Sequence, residues 1–135
     1  MLKDIRLLKK EHSEIRKFLA EIEKFINGSD IVDYKPFSIL FNKFSYLWNE
    51  HEKFEDELFD SSNKKLKDFP TEKMLLEQHR QLKGHCKILK NAIDSKDEHK
   101  LAVALDTDGR MLIEKFRNHL EIEDKFLDGL VPLLE

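Results

Sequence analysis

Cysteine, proline and glycine are scarce in this sequence, which contains one, three and four of them among its 135 residues. The single thiol, Cys86, excludes an intrachain disulfide and favours a reducing compartment, so we expect a cytoplasmic protein. No apolar run approaches the ~20 residues of a membrane-spanning helix, and the first residues lack the apolar stretch of a signal peptide. No membrane partner is therefore expected. With so few breakers, long helices are favoured.

Charge of one sign is not concentrated anywhere in the chain. The formal net charge is -3, both signs are interspersed, and no basic stripe predicts nucleic-acid binding. A glycine-rich phosphate loop and a Gly-x-Ser-x-Gly motif are also missing, which disfavours the nucleotide-binding and hydrolase classes that use them. The length fits one domain, residues 1–135, that can form a real core. Ten phenylalanines predict that this core is aromatic.

Apolar residues recur at three- and four-residue spacing in four stretches, which is the period of amphipathic helices. Asn-Gly-Ser-Asp at 27–30, Ser-Ser-Asn at 61–63 and Asp-Ser-Lys-Asp at 94–97 separate these stretches. Thr71, which follows Pro70, is the predicted N-cap of the third helix. The four predicted helices span residues 2–26, 36–60, 72–94 and 98–127.

The connections between these helices are short, and short connections place consecutive helices side by side in opposite directions. The predicted fold is therefore all-α, an up-down-up-down antiparallel four-helix bundle. Gly129 and Pro132 are predicted to end the last helix. Gly109 lies on the apolar stripe of that helix, where it predicts a close helix approach, a kink or a small cavity.

Polar residues interrupt every apolar stripe. In the second helix, for example, His51 and Glu55 fall between Leu47 and Leu58. Burying an unpaired polar group costs a few kcal/mol, so such residues need partners. In the predicted bundle the histidines of all four helices lie about seven to ten residues from the same end, which is one level at ~1.5 Å per residue. The interrupting residues are His12, His51, Glu55, His79, His119 and Glu123.

These six residues form a candidate metal site. The two His-x-x-x-Glu pairs place both side chains on one helix face, one turn apart. Imidazole and carboxylate together suit iron, manganese or zinc. His85 and His99 lie off the stripes and are interpreted as surface or boundary residues. Cys86 is interpreted as a small core residue, and Glu52 and Glu57 as solvated.

The ordered set of motifs resembles the hemerythrin-like, or HHE cation-binding, family over nearly the whole chain. That family has one element on each helix of a four-helix bundle. The resemblance implies two non-haem iron ions joined by an oxo or hydroxo bridge, two histidines on each iron, and Glu55 and Glu123 bridging both; zinc or manganese could replace iron. The elements here are Glu11-His12, His51-Glu52-Lys53-Phe54-Glu55, Gln78-His79 and His119-Leu120-Glu121-Ile122-Glu123.

The sequence departs from the oxygen carriers of that family in two ways. Those carriers have a fifth histidine one turn from the first on helix three, where this chain has Leu75 and Lys83. They also place an aspartate five residues after the last histidine, a position that Asp124 occupies. Glu123 is favoured as the ligand because i,i+4 spacing keeps it on the stripe beside His119, and Asp124 is the second choice.

Without the fifth histidine, octahedral irons would each keep one open position. The resemblance then implies a centre that binds O2, NO or peroxide for sensing, binding or iron handling. Two alternatives stay open: a di-iron enzyme that consumes peroxide or NO, and a structural bundle stabilised by a metal such as zinc. Lys83 and Tyr46 are the residues that could act as acid or base if they face the site. The ferritin-like class is disfavoured, because no acidic residue lies three positions before any of the four histidines.

Overall fold

The computed structural model of the chain describes residues 2–28, 33–63 and 70–134, and the regular structure in these ranges is entirely helical. The predicted all-α class is therefore confirmed. No helix in the described ranges has the length and apolar character needed to cross a membrane. The helices are α1 (Leu2–Gly28), α2 (Tyr34–Asn63), α3 (Pro70–Asp94), α4 (Glu98–Ala104) and α5 (Arg110–Leu134), and a π-helical segment (Leu105–Gly109) joins the last two.

Two helix starts show how local chemistry sets the boundaries. The carboxylate of Asp97 accepts hydrogen bonds from the backbone N–H groups of His99 and Lys100, and it thereby caps the start of α4. The predicted N-cap at Thr71 is wrong, because α3 already begins at Pro70. Proline is favoured at the first helical position, where its fixed φ suits the helix and its missing N–H has no intrahelical partner to lose.

The predicted end of the last helix is also wrong. Helix α5 continues through Gly129 and Pro132 to Leu134. Pro132 cannot donate a hydrogen bond to the carbonyl of Asp128 four residues earlier. Both Gly129 and Pro132 are exposed, so water can hydrogen-bond to this last exposed turn. The break predicted at 61–63 is likewise wrong, since α2 runs to Asn63.

The apolar side chains form two core clusters. Helix α1 packs against α2 and α5, and α3 packs against α2, α4 and α5. The larger cluster contains residues from the end of α1, the start of α2, the end of α3, the buried face of α4 and the start of α5, among them Ile22, Phe37, Ile93, Leu101 and Leu112. The side chain of Leu58, predicted to extend the α2 stripe, lies outside the described residues. The smaller cluster consists of Ile5, Leu8, Leu75, Phe126 and Leu127.

The π-helical segment ends at the buried Gly109. A Cβ atom there would lie 3.2 Å from Cδ2 of Leu105 and 3.4 Å from Cδ1 of Ile26, so the predicted close approach to α1 is confirmed. The contact with Leu105 is tighter than usual for a Cβ atom, so a methyl group would require the Leu105 side chain to shift within a close-packed core. Glycine therefore lets the backbone of this segment approach α1.

Two glycine substitutions are expected to change stability in opposite directions. Gly84 is exposed in the middle of α3, and a Cβ there meets no atom within 4 Å. Gly84→Ala should raise the free energy of unfolding by roughly 0.5–1 kcal/mol, because alanine is the better helix former. Gly109→Ala should lower it, because overpacking costs about 1–3 kcal/mol. Urea unfolding checks this pair, and an equal gain from both substitutions would contradict the close approach.

Candidate metal centre

A buried layer of polar side chains separates the two core clusters. It contains all six residues that the sequence analysis selected, and four helices contribute to it. His12, Glu55 and Glu123 are fully buried, and the other three are at most 3% exposed. The structure thus brings together His12 from α1, His51 and Glu55 from α2, His79 from α3, and His119 and Glu123 from α5.

The first group of donor atoms lies around the imidazoles of α1 and α2. Nε2 of His12 and Nε2 of His51 are 3.1 Å apart. Nε2 of His51 lies 2.6 Å from Oε2 of Glu55, and Nε2 of His12 lies 2.5 Å from Oε1 of Glu123. The four donor atoms of this group, from His12, His51, Glu55 and Glu123, lie within 4.8 Å of one another. The first group therefore has two nitrogens and two carboxylate oxygens around one point.

The second group repeats this arrangement around the imidazoles of α3 and α5. Nε2 of His79 and Nε2 of His119 are 3.0 Å apart. Nε2 of His79 lies 3.1 Å from Oε1 of Glu55, and Nε2 of His119 lies 3.0 Å from Oε2 of Glu123. Each glutamate thus gives one oxygen to each group. That division is the one required of a carboxylate that bridges two ions.

The donor atoms fit metal ions better than they fit each other. Both oxygens of Glu55 and Oε2 of Glu123 are buried and have no hydrogen-bond partner. These oxygens nevertheless lie near imidazole nitrogens, so the short separations lack hydrogen-bond geometry. Two donors at right angles, each about 2.1 Å from an ion, lie about 3.0 Å apart. The nitrogen–nitrogen separations and the nitrogen–oxygen separations of the second group, all 3.0–3.1 Å, match that spacing, whereas the nitrogen–oxygen separations of the first group, 2.6 and 2.5 Å, are shorter. Each of the two groups could therefore hold a metal ion.

Each imidazole of the layer also faces a side chain on its outer side, and that side chain comes from a different helix. In every case the outer residue is the chain neighbour of one of the six layer residues. Such outer hydrogen bonds orient a metal-binding histidine and increase its basicity. The four contacts, measured from Nδ1 of each histidine, are Glu11 with His51 (3.1 Å), Glu52 with His79 (3.7 Å), Gln78 with His119 (2.7 Å) and Asp124 with His12 (2.6 Å).

Asp124, the second choice as a ligand, lies outside both donor groups. One of its oxygens contacts Nδ1 of His12, and the other accepts a hydrogen bond from Arg16 at 2.6 Å. Its two oxygens are therefore both engaged away from the centre of the layer. Glu123, by contrast, is fully buried with its oxygens directed to the two groups.

The prediction that Glu52 is solvated is wrong. Glu52 is only 6% exposed, because its side chain turns inward between α2 and α3. Its Oε1 lies 2.9 Å from Nζ of Lys83 and 3.7 Å from Nδ1 of His79. The ammonium group of Lys83 compensates the buried charge. Glu57, which has no such partner among the described contacts, is exposed as predicted.

The two candidate acid–base residues do not line the layer. Tyr46 is 71% exposed and lies on the outer surface of α2. The side chain of Lys83 is 59% exposed and connects to His79 only through Glu52. An aromatic wall comes instead from Phe116, whose ring centroid lies 6.3 Å from that of His119, and Trp48 packs against Phe116 at 5.1 Å.

The remaining histidines and the cysteine have ordinary surroundings. His85 lies 3.2 Å from Asp108 and accepts a hydrogen bond from Lys115 at 3.0 Å, at the boundary of the fold. His99 is exposed. Cys86 is partly buried against the larger cluster. Burial raises the pKa of the Cys86 thiol to about 12, so it remains protonated and unreactive.

Without a metal ion, the layer holds its charge balance with protons. Burial opposes a charge on His12, but hydrogen bonds to Asp124 and Glu123 outweigh it and raise its pKa to about 11. Burial likewise opposes charge on His51 and His79, yet contacts with Glu123 and Glu55 raise their pKa values to about 9 and about 10. Burial also opposes ionisation of Glu123, but its polar contacts hold its pKa well below the usual value. A metal ion would take the place of these protons.

The stability of the metal-free protein is expected to fall as pH rises above about 6.5. The raised pKa values mean that the folded state binds more protons than the unfolded chain between pH 6.5 and about 9–11. The stabilisation contributed by the three protonated imidazoles is fully present below their pKa in the unfolded chain. It is lost as pH rises through their pKa values in the folded protein, and the free energy of unfolding then falls by at least about 1 kcal/mol per pH unit. Urea unfolding between pH 6.5 and 9 checks this. The iron-loaded protein is the control, and a decline of equal slope in both forms would contradict it.

Comparisons of this chain with protein-family models, with curated proteins and with solved structures found no match. The interpretation of the layer therefore depends on its own donor atoms, separations and burial.

Proposed function

We propose that this chain is a hemerythrin-like protein whose buried layer binds two iron ions and, through them, a small ligand such as O2, NO or peroxide. The observation that carries the proposal is the sharing of two carboxylates between two pairs of imidazoles. Glu55 presents Oε2 to His51 and Oε1 to His79. Glu123 presents Oε1 to His12 and Oε2 to His119.

The proposal includes an up-down-up-down antiparallel arrangement of the helices. Two observations support it. The start of α1, the start of α3 and the end of α5 contribute to the smaller cluster, whereas the end of α1 and the start of α2 contribute to the larger one. In addition, the histidine of α1 contacts that of α2, and the histidine of α3 contacts that of α5. Alternating helix directions account for both.

The roles of the residues follow from their chemistry. Bound iron would supply coordination and redox chemistry that the side chains of the layer do not have by themselves. His12 and His51 would hold one ion, and His79 and His119 the other. Glu55 and Glu123 would bridge the two and balance their positive charge. Phe116, which contacts His119, and Trp48, which packs against Phe116, are buried and would limit access of bulk water.

Metal analysis of purified protein tests the proposal. Protein produced in iron-containing medium should hold about two irons per chain, and the ferric form should absorb in the near ultraviolet. The donor set of imidazole and carboxylate suits iron. A colourless sample with one zinc per chain would overturn the proposal in favour of the structural, metal-stabilised bundle. Rapid catalytic turnover of peroxide or NO by the iron form would favour the enzyme alternative.

One substitution on α3 is expected to fill an open coordination position of the proposed metal centre. Leu75 is fully buried in the smaller cluster, one turn before His79 on the same helix face. Lys83, one turn after His79, is largely exposed and paired with Glu52. Leu75→His should therefore add a histidine ligand, and Lys83→His should not. Either position is compatible with the sequence alone, and the burial of Leu75 supports the first.

Azide titration of the ferric proteins checks this substitution. We expect the Leu75→His protein to bind fewer azide ions than the parent protein and to show an altered absorption spectrum. Lys83→His is the matched control and should bind as many azide ions as the parent. If all three proteins bind the same number of azide ions and have the same absorption spectrum, the proposal of an open coordination position next to His79 is wrong.

A further inference from the structure

The outer faces of the four imidazoles are not supported equally. Nδ1 of His12, His51 and His119 each contacts an outer oxygen at 3.1 Å or less. Nδ1 of His79 is buried and has no hydrogen-bond partner. The oxygen it faces, Oε1 of Glu52, is 3.7 Å away, which is too far for a hydrogen bond. His79 is therefore the one imidazole of the described layer that lacks outer support.

The reason lies in how two carboxylates divide their oxygens. Asp124 uses Oδ1 for His12 and Oδ2 for Arg16, so its two partners do not compete. Glu52 faces both of its partners with the same atom, Oε1. Lys83 lies 2.9 Å from that oxygen and the imidazole lies 3.7 Å from it. The ion pair with Lys83 thus holds Glu52 short of His79.

The two donor groups also differ in the charge of their outer partners. His12 and His51 both contact carboxylates, from Asp124 and Glu11. In the other group, His119 contacts the neutral amide oxygen of Gln78. A carboxylate on Nδ1–H makes the opposite nitrogen a stronger donor to a metal than a neutral amide does, and loss of such a partner typically weakens metal binding 10–100-fold.

We infer that the two metal positions are unequal, and that the Lys83–Glu52 ion pair sets the difference. This inference rests on the proposed function. The position formed by His12 and His51 holds its ion tightly. The position formed by His79 and His119 holds its ion about tenfold or more weakly, and it is the position where the ion exchanges. Glu52 acts here as a positioning residue, since it acts on the ion through His79.

Removal of the competing cation is the sharpest test. In the Lys83→Met protein, Glu52 is free to accept a hydrogen bond from Nδ1 of His79. We expect the weaker ion of this variant to bind up to about tenfold more tightly, and the tighter ion to be unchanged. Lys87→Met is the matched control, because Lys87 is also exposed on α3 and has no described contact with Glu52. It should behave as the parent protein does.

The measurement is the release of iron(II) from the anaerobic, iron-loaded protein to a chromogenic chelator. The parent protein should release one ion in a fast phase and one in a slow phase. The fast phase should slow in the Lys83→Met protein only. The Gln78→Glu protein, which places a carboxylate on Nδ1 of His119, should slow the same phase independently.

The outcomes separate this inference from the proposed function. Two ions per chain that leave the parent protein in a single phase would overturn the inference and leave the di-iron proposal standing. Two phases that Lys83→Met and Lys87→Met change equally would also overturn the role of Glu52. A parent protein that binds fewer than two ions would overturn the proposed function and the inference with it.

Discussion

Removal of the metal ions should lower the free energy of unfolding by several kcal/mol. Chelation leaves four imidazoles and two carboxylates facing one another in a layer that is at most 3% exposed. Burial of polar groups without suitable partners is costly. A ligand that binds only the folded state stabilises it by about 4 kcal/mol when its concentration is a thousand times Kd. The metal-free protein should therefore unfold at markedly lower urea concentration than the loaded protein.

Urea unfolding of both forms at the same pH checks this expectation. Iron added back to the chelated protein should restore the original midpoint, and magnesium, which prefers oxygen ligands and retains its waters, should not. Equal midpoints for the chelated and loaded forms would show that the layer does not bind an ion tightly. The comparison is best made near pH 7, where the protons on His12, His51 and His79 still support the metal-free form.

Two isosteric substitutions at neighbouring positions should have very different effects on metal content. Glu123→Gln replaces one of the two oxygens with an NH2 group, which does not bind a metal ion, and removes the negative charge that the two donor groups share. We therefore expect the protein to lose tight binding of both ions. Asp124→Asn changes only the outer partner of His12. It should retain two ions and weaken one of them about 10–100-fold. Iron analysis after dialysis against a weak chelator measures both.

This pair of substitutions tests which residue is the ligand. A Glu123→Gln protein that keeps two irons, beside an Asp124→Asn protein that keeps none, would identify Asp124 as the bridging residue instead. Circular dichroism provides the folding control, since both variants should remain helical. The absorption spectrum adds a second readout, because the loss of a bridging carboxylate changes the environment of both ions.

The six residues of the layer could be selected from the sequence because of where they fall. Each interrupts an apolar stripe, as His12 does between Leu8 and Ile15. A polar residue on a buried face is costly, so its presence there indicates a partner. Helix geometry then sets the level at which the residues meet. Periodicity and burial cost together were enough to find a buried layer that the structure brings together.

The outer partners could not be identified by the same reasoning. Glu52 follows His51 directly, and neighbouring residues on a helix point about 100° apart. Glu52 therefore lies off the apolar stripe and reads as solvated, although it is buried beside Lys83. The sequence did contain a usable signal, because a carboxylate or amide side chain directly precedes or follows a layer residue on each of the four helices that contribute to the layer, for example Glu11 and Gln78.

Backbone irregularities were also beyond the reach of periodicity. Gly109 indicated a close approach or kink, but it did not predict a π-helical segment over Leu105–Gly109. Nor could the continuation of α5 through Pro132 be expected from propensity alone. At Leu105–Gly109 the helical preference competes with packing against Ile26 of α1. At Pro132 the exposed last turn can form hydrogen bonds with water in place of the missing helical one.

The outer contacts run in one rotational sense around the proposed bundle. Glu11 reaches from α1 to α2, Glu52 from α2 to α3, Gln78 from α3 to α5, and Asp124 from α5 back to α1. The outer residue precedes its neighbour in the layer on α1 and α3 and follows it on α2 and α5. In the proposed bundle, α1 and α3 run in one direction and α2 and α5 in the other. Because all the helices are right-handed, the residue before a layer residue on α1 or α3 and the residue after one on α2 or α5 are rotated from it in the same sense when the bundle is viewed from one end. A bundle of the opposite hand would direct all four side chains away from their histidines, so these contacts distinguish the two mirror-related ways of connecting the same four helices.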